Sequence, residues 1–191
     1  MSHLQILRYP QDLSSSLLRE QLLALENMAW PPGPDDTGVF PVEPDTYVTS
    51  FVLLSEDNTP LSHVAIRHTV LHHRAISYRV YGISEVVTHP AHRHRGYAAR
   101  LLRQAAALIQ QEGADLCLFT CTPSLVPLYA KNGWPPIPGA CLVGGTRENP
   151  FRSDSLHLVT VGAFYSARAR LHQKEFTHTD ICLELGENQL W

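Results

Sequence analysis

Apolar residues fall into short alternating or continuous runs over most of the chain and switch to a helical period in two places. The first stripe, Leu17, Leu18, Leu22 and Leu25, predicts a helix from a cap at Asp12 or Ser14 to about Trp30, preceded by a strand over 4–9. The second, Ala98, Leu101, Leu102, Ala105, Leu108 and Ile109, predicts a helix that begins after Pro90 and ends near Gly113. Between them, 47–54, 61–71 and 75–88 read as strands of an antiparallel meander, turned at Glu56-Asp57-Asn58-Thr59-Pro60 and His72-His73-Arg74. Beyond Gly113, 115–121 reads as a short buried strand, and the helical crossover before it makes its pairing with the 75–88 strand parallel. Ser124 is expected to cap a short helix with Pro127 in its first turn and Asn132-Gly133 at its end, and 156–161 and 179–185 add further sheet. The stretch 31–44 carries five prolines and several acids and is expected to be a loop.

The 191 residues, 44% hydrophobic and 17% charged, suit one domain spanning 1–191 with a core of its own. The net charge of −3 provides no bulk field for nucleic acid or an anionic membrane, so neither is expected as a partner. The longest apolar runs, 49–54 and 156–161, fall far short of the roughly 20 residues of a bilayer span. The first residues lack a basic start, an apolar core and a cleavage site, so a cytoplasmic location is expected. Cys117, Cys121, Cys141 and Cys182 form no Cys-x-x-Cys pair and read as free, mostly buried thiols. The 11 histidines include no His-Glu-x-x-His pair, and no Gly-x-Ser-x-Gly elbow is present, which argues against a metalloprotease or an α/β-hydrolase.

Chemistry concentrates in Val86-Val87-Thr88-His89-Pro90-Ala91-His92-Arg93-His94-Arg95-Gly96-Tyr97-Ala98, a strand end, a basic loop and a helix start. Amides without helical partners and the positive end of the helix dipole suit such a loop to a phosphate or pyrophosphate. Gly96 and Ala98 keep side-chain bulk away, and His92, Arg93, His94 and Arg95 add positive charge. A solvated basic helix start is the plainer alternative on these residues alone. Neither a Walker loop nor a Gly-x-Gly-x-x-Gly dinucleotide loop is present.

Arg93-His94-Arg95-Gly96-Tyr97-Ala98 resembles the Arg/Gln-x-x-Gly-x-Gly/Ala loop of the GNAT acetyltransferase superfamily, and Leu128-Tyr129-Ala130-Lys131-Asn132-Gly133-Trp134 is similar to its short helix ending in Tyr-x-x-x-Gly-Phe/Trp. The resemblance covers roughly 61–134. It implies an α/β (α+β mixed) fold, with a splayed, mostly antiparallel mixed sheet flanked by helices and a central β-α-β unit that binds acyl-CoA. Acetyl-CoA is the implied cosubstrate, with no metal or redox cofactor. Its pantetheine would follow Val86, Val87 and Thr88, and its pyrophosphate the amides of Arg93, His94, Arg95, Gly96, Tyr97 and Ala98. The resemblance places Tyr129 near the leaving thiolate as a proton donor, with a packed core tyrosine as the alternative.

An amine that attacks a thioester must lose a proton, so a base is expected. Glu85 is the leading candidate, His63 or a water the others, and Glu85 could instead pair with Arg79 or Arg95. Because strand residues alternate, either Ser84 or Glu85, and not both, is expected to face the site. Within the superfamily the chain looks most like the aminoglycoside 2'-N-acetyltransferases, through Ser62-His63-Val64-Ala65-Ile66, the Tyr129 to Trp134 motif and a final Trp191. That likeness implies a small primary amine as acceptor, an aminoglycoside among the possibilities, met by Glu184, Glu187 and Trp191 at the chain end and by Ser84 or Glu85 on the central strand, while the acidic loop with Asp35 and Asp36 could attract a polycation or be a plain exposed loop. A non-catalytic acyl-CoA sensor and a peptide or protein acetyltransferase are the competing functions, and a homodimer is a weaker expectation.

Overall fold

A serine hydroxyl opens the first helix, one residue after Ser14 and three after Asp12, the two expected caps. In the computed structural model, which describes residues 4–10, 13–33, 49–186 and 189–191, Ser15 accepts from the Leu18 amide and α1 runs Ser16–Asn27. Ser14 instead accepts from Arg19 Nε at 2.8 Å. Of the predicted stripe, Leu22 and Leu25 are buried and Leu17 is 64% exposed, because the helix buries a narrower face than the four leucines suggest.

The remaining elements follow the chain as β1 Gln5–Pro10, β2 Thr49–Leu54, β3 Pro60–His73, β4 Ile76–Thr88, α2 Tyr97–Gln111, β5 Leu116–Cys121, α3 Val126–Lys131, β6 Cys141–Gly145, β7 Pro150–Arg152, β8 Val159–Phe164, α4 Ala167–Leu171 and β9 Asp180–Cys182. The main sheet has the order β1-β2-β3-β4-β5-β8, and a smaller one the order β7-β6-β9. This is a mixed, mostly antiparallel α/β architecture with flanking helices. The chain resolves into two compact units, Met1–Arg67 with Ser84–Ala105, and His68–Ile83 with Ala106–Trp191.

In the first unit β1 pairs antiparallel with β2 from Gln5↔Leu54 to Pro10↔Thr49, and β2 pairs antiparallel with β3. Leu22 packs with Val52 and Leu54, and Leu7, Tyr9, Leu18 and Leu23 close over them. Burial of such a leucine contributes roughly 1.5–3 kcal/mol, so this apolar contact is what holds α1 to its strands. The last residues of β4 and the start of α2 belong to the same unit.

In the second unit the hairpin between β3 and β4 turns through Arg74 and Ala75 at φ 49° and 62°, a twist that suits a two-residue loop between right-twisted strands. The expected parallel pairing of β4 with β5 is present, through Val80↔Leu116 and Tyr81↔Cys117 only. By contrast, β5 pairs with β8 along its whole length, from Leu116↔Phe164 to Cys121↔Val159. In the part of α2 that belongs to this unit, Leu108 and Ile109 are buried as the helical period predicts, as are Leu101, Leu102 and Ala105 in the part that belongs to the first. Ser124 does not cap α3. Its hydroxyl meets that of Thr122 at 3.1 Å, a short 3-10 turn over Pro123–Leu125 precedes the helix, and Gly133 at φ 101° ends it. Cys117, Cys121 and Cys141 are buried free thiols and Cys182 is an exposed one. Among the described residues no helix is long and apolar enough to cross a membrane.

Candidate functional site

Within the first unit the chain leaves β4 at Thr88, makes one 3-10 turn over Pro90–His92 and enters α2 at Tyr97. The turn is held by the His89 amide donating to the Leu61 carbonyl at 2.9 Å and by Arg93 Nε donating to the Thr88 carbonyl at 3.3 Å. His94 and Gly96 take φ 62° and 77°, which tilts successive peptide planes. Among the described residues, no hydrogen bond from the amides of His94, Arg95, Gly96, Tyr97 and Ala98 to a backbone carbonyl is formed, while Arg100 already donates to the Gly96 carbonyl at 3.0 Å. Arg93, His94, Arg95 and Gly96 are exposed. A side chain at Gly96 would meet no atom within 4 Å, so the glycine is required by its backbone angle and leaves open space in front of the loop. Such a run of free amides at a helix start is suited to an anion. Val87 is buried, with its carbonyl accepting from the Ser62 hydroxyl at 2.8 Å, and Val86 and Thr88 are partly buried beside it.

Next to this loop along β4, Glu85 adopts φ 55°. A non-glycine residue in that region interrupts the alternation of the strand. Ser84 and Glu85 in consequence both reach one side chain: Arg67 Nε donates to Ser84 Oγ at 3.3 Å and its NH2 to Glu85 Oε1 at 3.0 Å. Arg67, and neither Arg79 nor Arg95, is the cation on Glu85. The other carboxylate oxygen of Glu85 is buried without a hydrogen-bond partner and lies 3.9 Å from His63 Nδ1. His63 is fully buried, its Nδ1 2.9 Å from Glu26 Oε1 and its Nε2 3.0 Å from Ser50 Oγ. Glu26, His63 and Glu85 thus bring three ligand-type atoms within 4.8 Å of one another. Burial pushes the Glu26 carboxyl above its ordinary range; the His63 contact pulls it down and the Glu85 charge pushes it up again. Burial, with Glu26 and Glu85 adding to it and Ser50 opposing, pushes the nearby Tyr9 phenol up to about 12.

The second unit holds the other predicted groups. Tyr129 is 4% exposed and sets its ring edge-on against Phe119 at 4.9 Å, while Phe119 meets Trp134 at 5.6 Å. Burial raises the Tyr129 phenol, which keeps it protonated and able to donate. Where the β4–β5 ladder stops, Trp191 returns. Its backbone oxygen accepts from the Thr120 amide at 2.7 Å, and a Cβ at Gly82 would come within 2.1 Å of its indole ring. Only glycine admits that contact, which fixes Gly82 as the seat of the tail. Asp35, Asp36 and Glu187 lie outside the described residues.

The sequence reading missed Glu26, Ser50 and Arg67. A carboxylate at position 26, one turn after Leu22 and beside Leu25, stands on the buried stripe of α1, and a polar residue on such a stripe is the signal that was there to be read.

The family model described as an acetyltransferase (GNAT) domain matches residues 19–137, more than half of the chain. Among solved structures, an acyl-CoA N-acyltransferase from Pseudomonas aeruginosa superposes with a TM-score of 0.60 at 13% identity, over 84% of this chain and 99% of that one. A GNAT family acetyltransferase from Brucella melitensis in complex with acetyl-CoA gives a TM-score of 0.52 at 19% identity, over 69% of this chain and 82% of that one. A conserved Enterococcus faecalis protein gives 0.56 at 16% identity over 70% of this chain, which spans only 32% of that protein's length. No curated protein matches the chain in sequence.

Proposed function

The chain belongs to the GNAT acetyltransferase family, and on that premise we propose that it transfers an acetyl group from acetyl-CoA to a primary amine of a small molecule. The observation that carries this reading is the loop from Arg93 to Ala98, where free amides, three exposed basic side chains and a positive-φ glycine precede α2. Those amides hold the pyrophosphate of acetyl-CoA, and the edge of β4 at Val86, Val87 and Thr88 takes its pantetheine arm. Glu85, anchored by Arg67 through one oxygen, accepts the proton that the attacking amine loses, directly or through a water. Tyr129, kept neutral by burial, donates to the departing thiolate. A tetrahedral intermediate places negative charge on the former carbonyl oxygen, and a backbone amide of β4, Val87 foremost, is the donor suited to it.

The finer reading is an aminoglycoside bearing a 2'-amine. What supports it is the likeness of Ser62-His63-Val64-Ala65-Ile66 and the final Trp191 to the aminoglycoside 2'-N-acetyltransferases. The test is a CoA-thiol release assay with acetyl-CoA against aminoglycosides, polyamines and arylalkylamines, beside a thermal-shift titration with acetyl-CoA. Release with 2'-amino but not 2'-hydroxy aminoglycosides is the expected result for the finer reading, and release with simple amines alone removes it while keeping the transferase. In Gly96→Glu the acetyl-CoA shift, worth about 3 kcal/mol at a hundredfold excess over Kd in the unaltered protein, should be largely lost. An undiminished shift would remove the loop assignment.

A further inference from the structure

We propose that the second unit carries a binding site for a small N-acylated amino acid with an apolar side chain, on the outer edge of β8. The site uses none of the groups assigned to acyl transfer and does not rest on that reading.

Four observations carry it. The first is a half-open cavity of about 250 Å³ bounded by the connector 135–138, by β8 from Gly162 to Phe164, and by Arg170, Gln173 and Thr177. All of these residues belong to the second unit. That size is small for a nucleotide cofactor and suits a molecule about as large as one amino acid. The second is a broken ladder. The connector pairs antiparallel with β8 at Pro136↔Val161, where the Ile137 amide donates to the Thr160 carbonyl at 2.9 Å and the Gly162 amide to the Pro135 carbonyl at 3.0 Å. The next rung needs an N–H at position 135 to meet the Gly162 carbonyl, and proline has none. Amides alternate between the two edges of an antiparallel strand, so Phe164 faces outward like Gly162, while Tyr165 faces inward and donates to the Asp115 carbonyl at 2.7 Å. Among the described residues, neither the Phe164 amide nor the Gly162 carbonyl has a hydrogen-bond partner on that outer edge.

The third observation is charge. Arg170 lines the cavity, and among the described residues its guanidinium has no hydrogen-bond or ion-pair partner, whereas Arg168 on the same helix is taken by Asp115. No residue of the lining is acidic. The fourth is rigidity. Three prolines fix φ along the connector, and the Phe164 ring is held edge-on by Phe176 at 5.1 Å, which in turn meets Tyr78 at 5.4 Å. A cavity built this way has little freedom left to lose on binding.

Together these groups read one ligand residue. Its carboxylate accepts from the Arg170 guanidinium and the Phe164 N–H, and charge-assisted bonds of this kind are the strong ones. Its amide N–H donates to the Gly162 carbonyl, two residues back along β8, so the ligand extends the sheet by a single residue in the manner of an added strand. Its apolar side chain packs against the prolines and the Phe164 ring. The amino nitrogen is acylated because a free ammonium would enter a cavity that already holds a cation and has no acid to offset it. The Thr177 hydroxyl donates to the Lys174 carbonyl at 2.9 Å, which leaves the Gln173 amide as the side-chain donor for the acyl oxygen.

The experiment titrates the full chain, ¹⁵N-labelled, with N-acetyl-leucine, followed by calorimetry and by the Phe164 amide signal, which is assigned by its loss in Phe164→Leu. Three further probes each remove one feature: N-acetyl-leucinamide the carboxylate, 4-methylpentanoate the amide, and leucine the acyl group. The expected result is saturable binding of N-acetyl-leucine that moves the Phe164 amide, with affinity about tenfold or more lower for N-acetyl-leucinamide and in Arg170→Gln, and lower also for the other two probes. Arg170 and Gln173 are exposed, so Arg170→Gln and Gln173→Glu should keep the urea midpoint of the unaltered protein, and the second should weaken binding by setting an acid beside the carboxylate. Absence of a saturable shift with every probe overturns the site, as does equal affinity in Arg170→Gln. Shifts confined to the amides between Arg93 and Ala98 would put the probe on the acetyl-CoA loop and overturn it too. Leucine binding more tightly than its acetyl form, or 4-methylpentanoate binding as tightly, overturns the class of ligand. Turnover is not part of the readout, so a chain that released no thiol with any amine would lose the transferase reading while these titrations still decided the site.

Discussion

Glu26 in the first unit and Asp115 in the second are both enclosed carboxylates, and the two are pushed in opposite directions. Glu26 of the first unit faces a titratable ring and a second carboxylate, and burial raises its carboxyl. Asp115 of the second unit is equally enclosed, yet hydrogen bonds from Ser166, the Arg79 amide and Arg168 overcome the upward pull of burial and hold its carboxyl below the ordinary aspartate range. Its oxygen takes the Arg79 amide at 2.9 Å together with the Arg168 guanidinium, and its backbone carbonyl takes the amides of Tyr165 and Ser166. Permanent donors make Asp115 a strut that ties β4, β5 and the start of α4 together. Glu26 instead meets the His63 ring with the Glu85 charge nearby, and its carboxyl stays raised. The same residue chemistry is lowered or raised according to whether its neighbours supply fixed donors.

The contrast breaks most sharply at the strut. Asp115→Ala should lower unfolding stability by about 2–4 kcal/mol, since it strands an amide and a guanidinium, and should shift the urea midpoint with little change in the shape of the pH–rate profile of the folded enzyme. A stability loss under about 0.5 kcal/mol would show that these bonds are replaced by water. Smaller in free energy is Tyr129→Phe, which keeps the ring against Phe119 and removes only the proton. Turnover should fall by about tenfold or more with acetyl-CoA affinity retained, and an unchanged kcat would return Tyr129 to the core as packing.

The finest distinction is in the pH dependence of stability. Glu26 has a raised folded-state value, so its contribution is present below the ordinary glutamate range and fades as pH rises through that raised value. Asp115 has a depressed one, so its contribution is present above the ordinary aspartate range and fades as pH falls through the depressed value. Urea midpoints followed from acid to neutral pH should therefore lose their alkaline-side decline in Glu26→Gln and part of their acid-side decline in Asp115→Asn. Two variants with the same slopes as the unaltered chain would dissolve the contrast.

Much of this was legible along the chain. The helical period of α2 predicted its buried face from Leu101 to Ile109, the loop before it was picked out by Gly96 among basic residues, and the parallel β4–β5 pairing followed from a crossover helix of the right length. These depend on neighbours within a few residues, or on connection lengths, and such quantities are written in order along a sequence. The exposure of Leu17, the failure of Ser124 as a cap and the choice of Arg67 over Arg79 or Arg95 as the partner of Glu85 were not legible, because each depends on which competing contact is satisfied first.

By itself the sequence determined the order of the elements, the amide-rich turn into α2 and the chemical kind of the groups at hand, since local backbone preference and hydrophobic period act over a turn or two of chain. Only the tertiary structure decided that Glu26, Ser50, His63, Arg67 and Glu85 share one buried cluster, and that a single positive φ at Glu85 sets its carboxylate on Arg67 beside His63. The reason is physical. Burial changes the cost of charge, and burial is a property of residues far apart in the chain that the fold alone brings within a few ångströms.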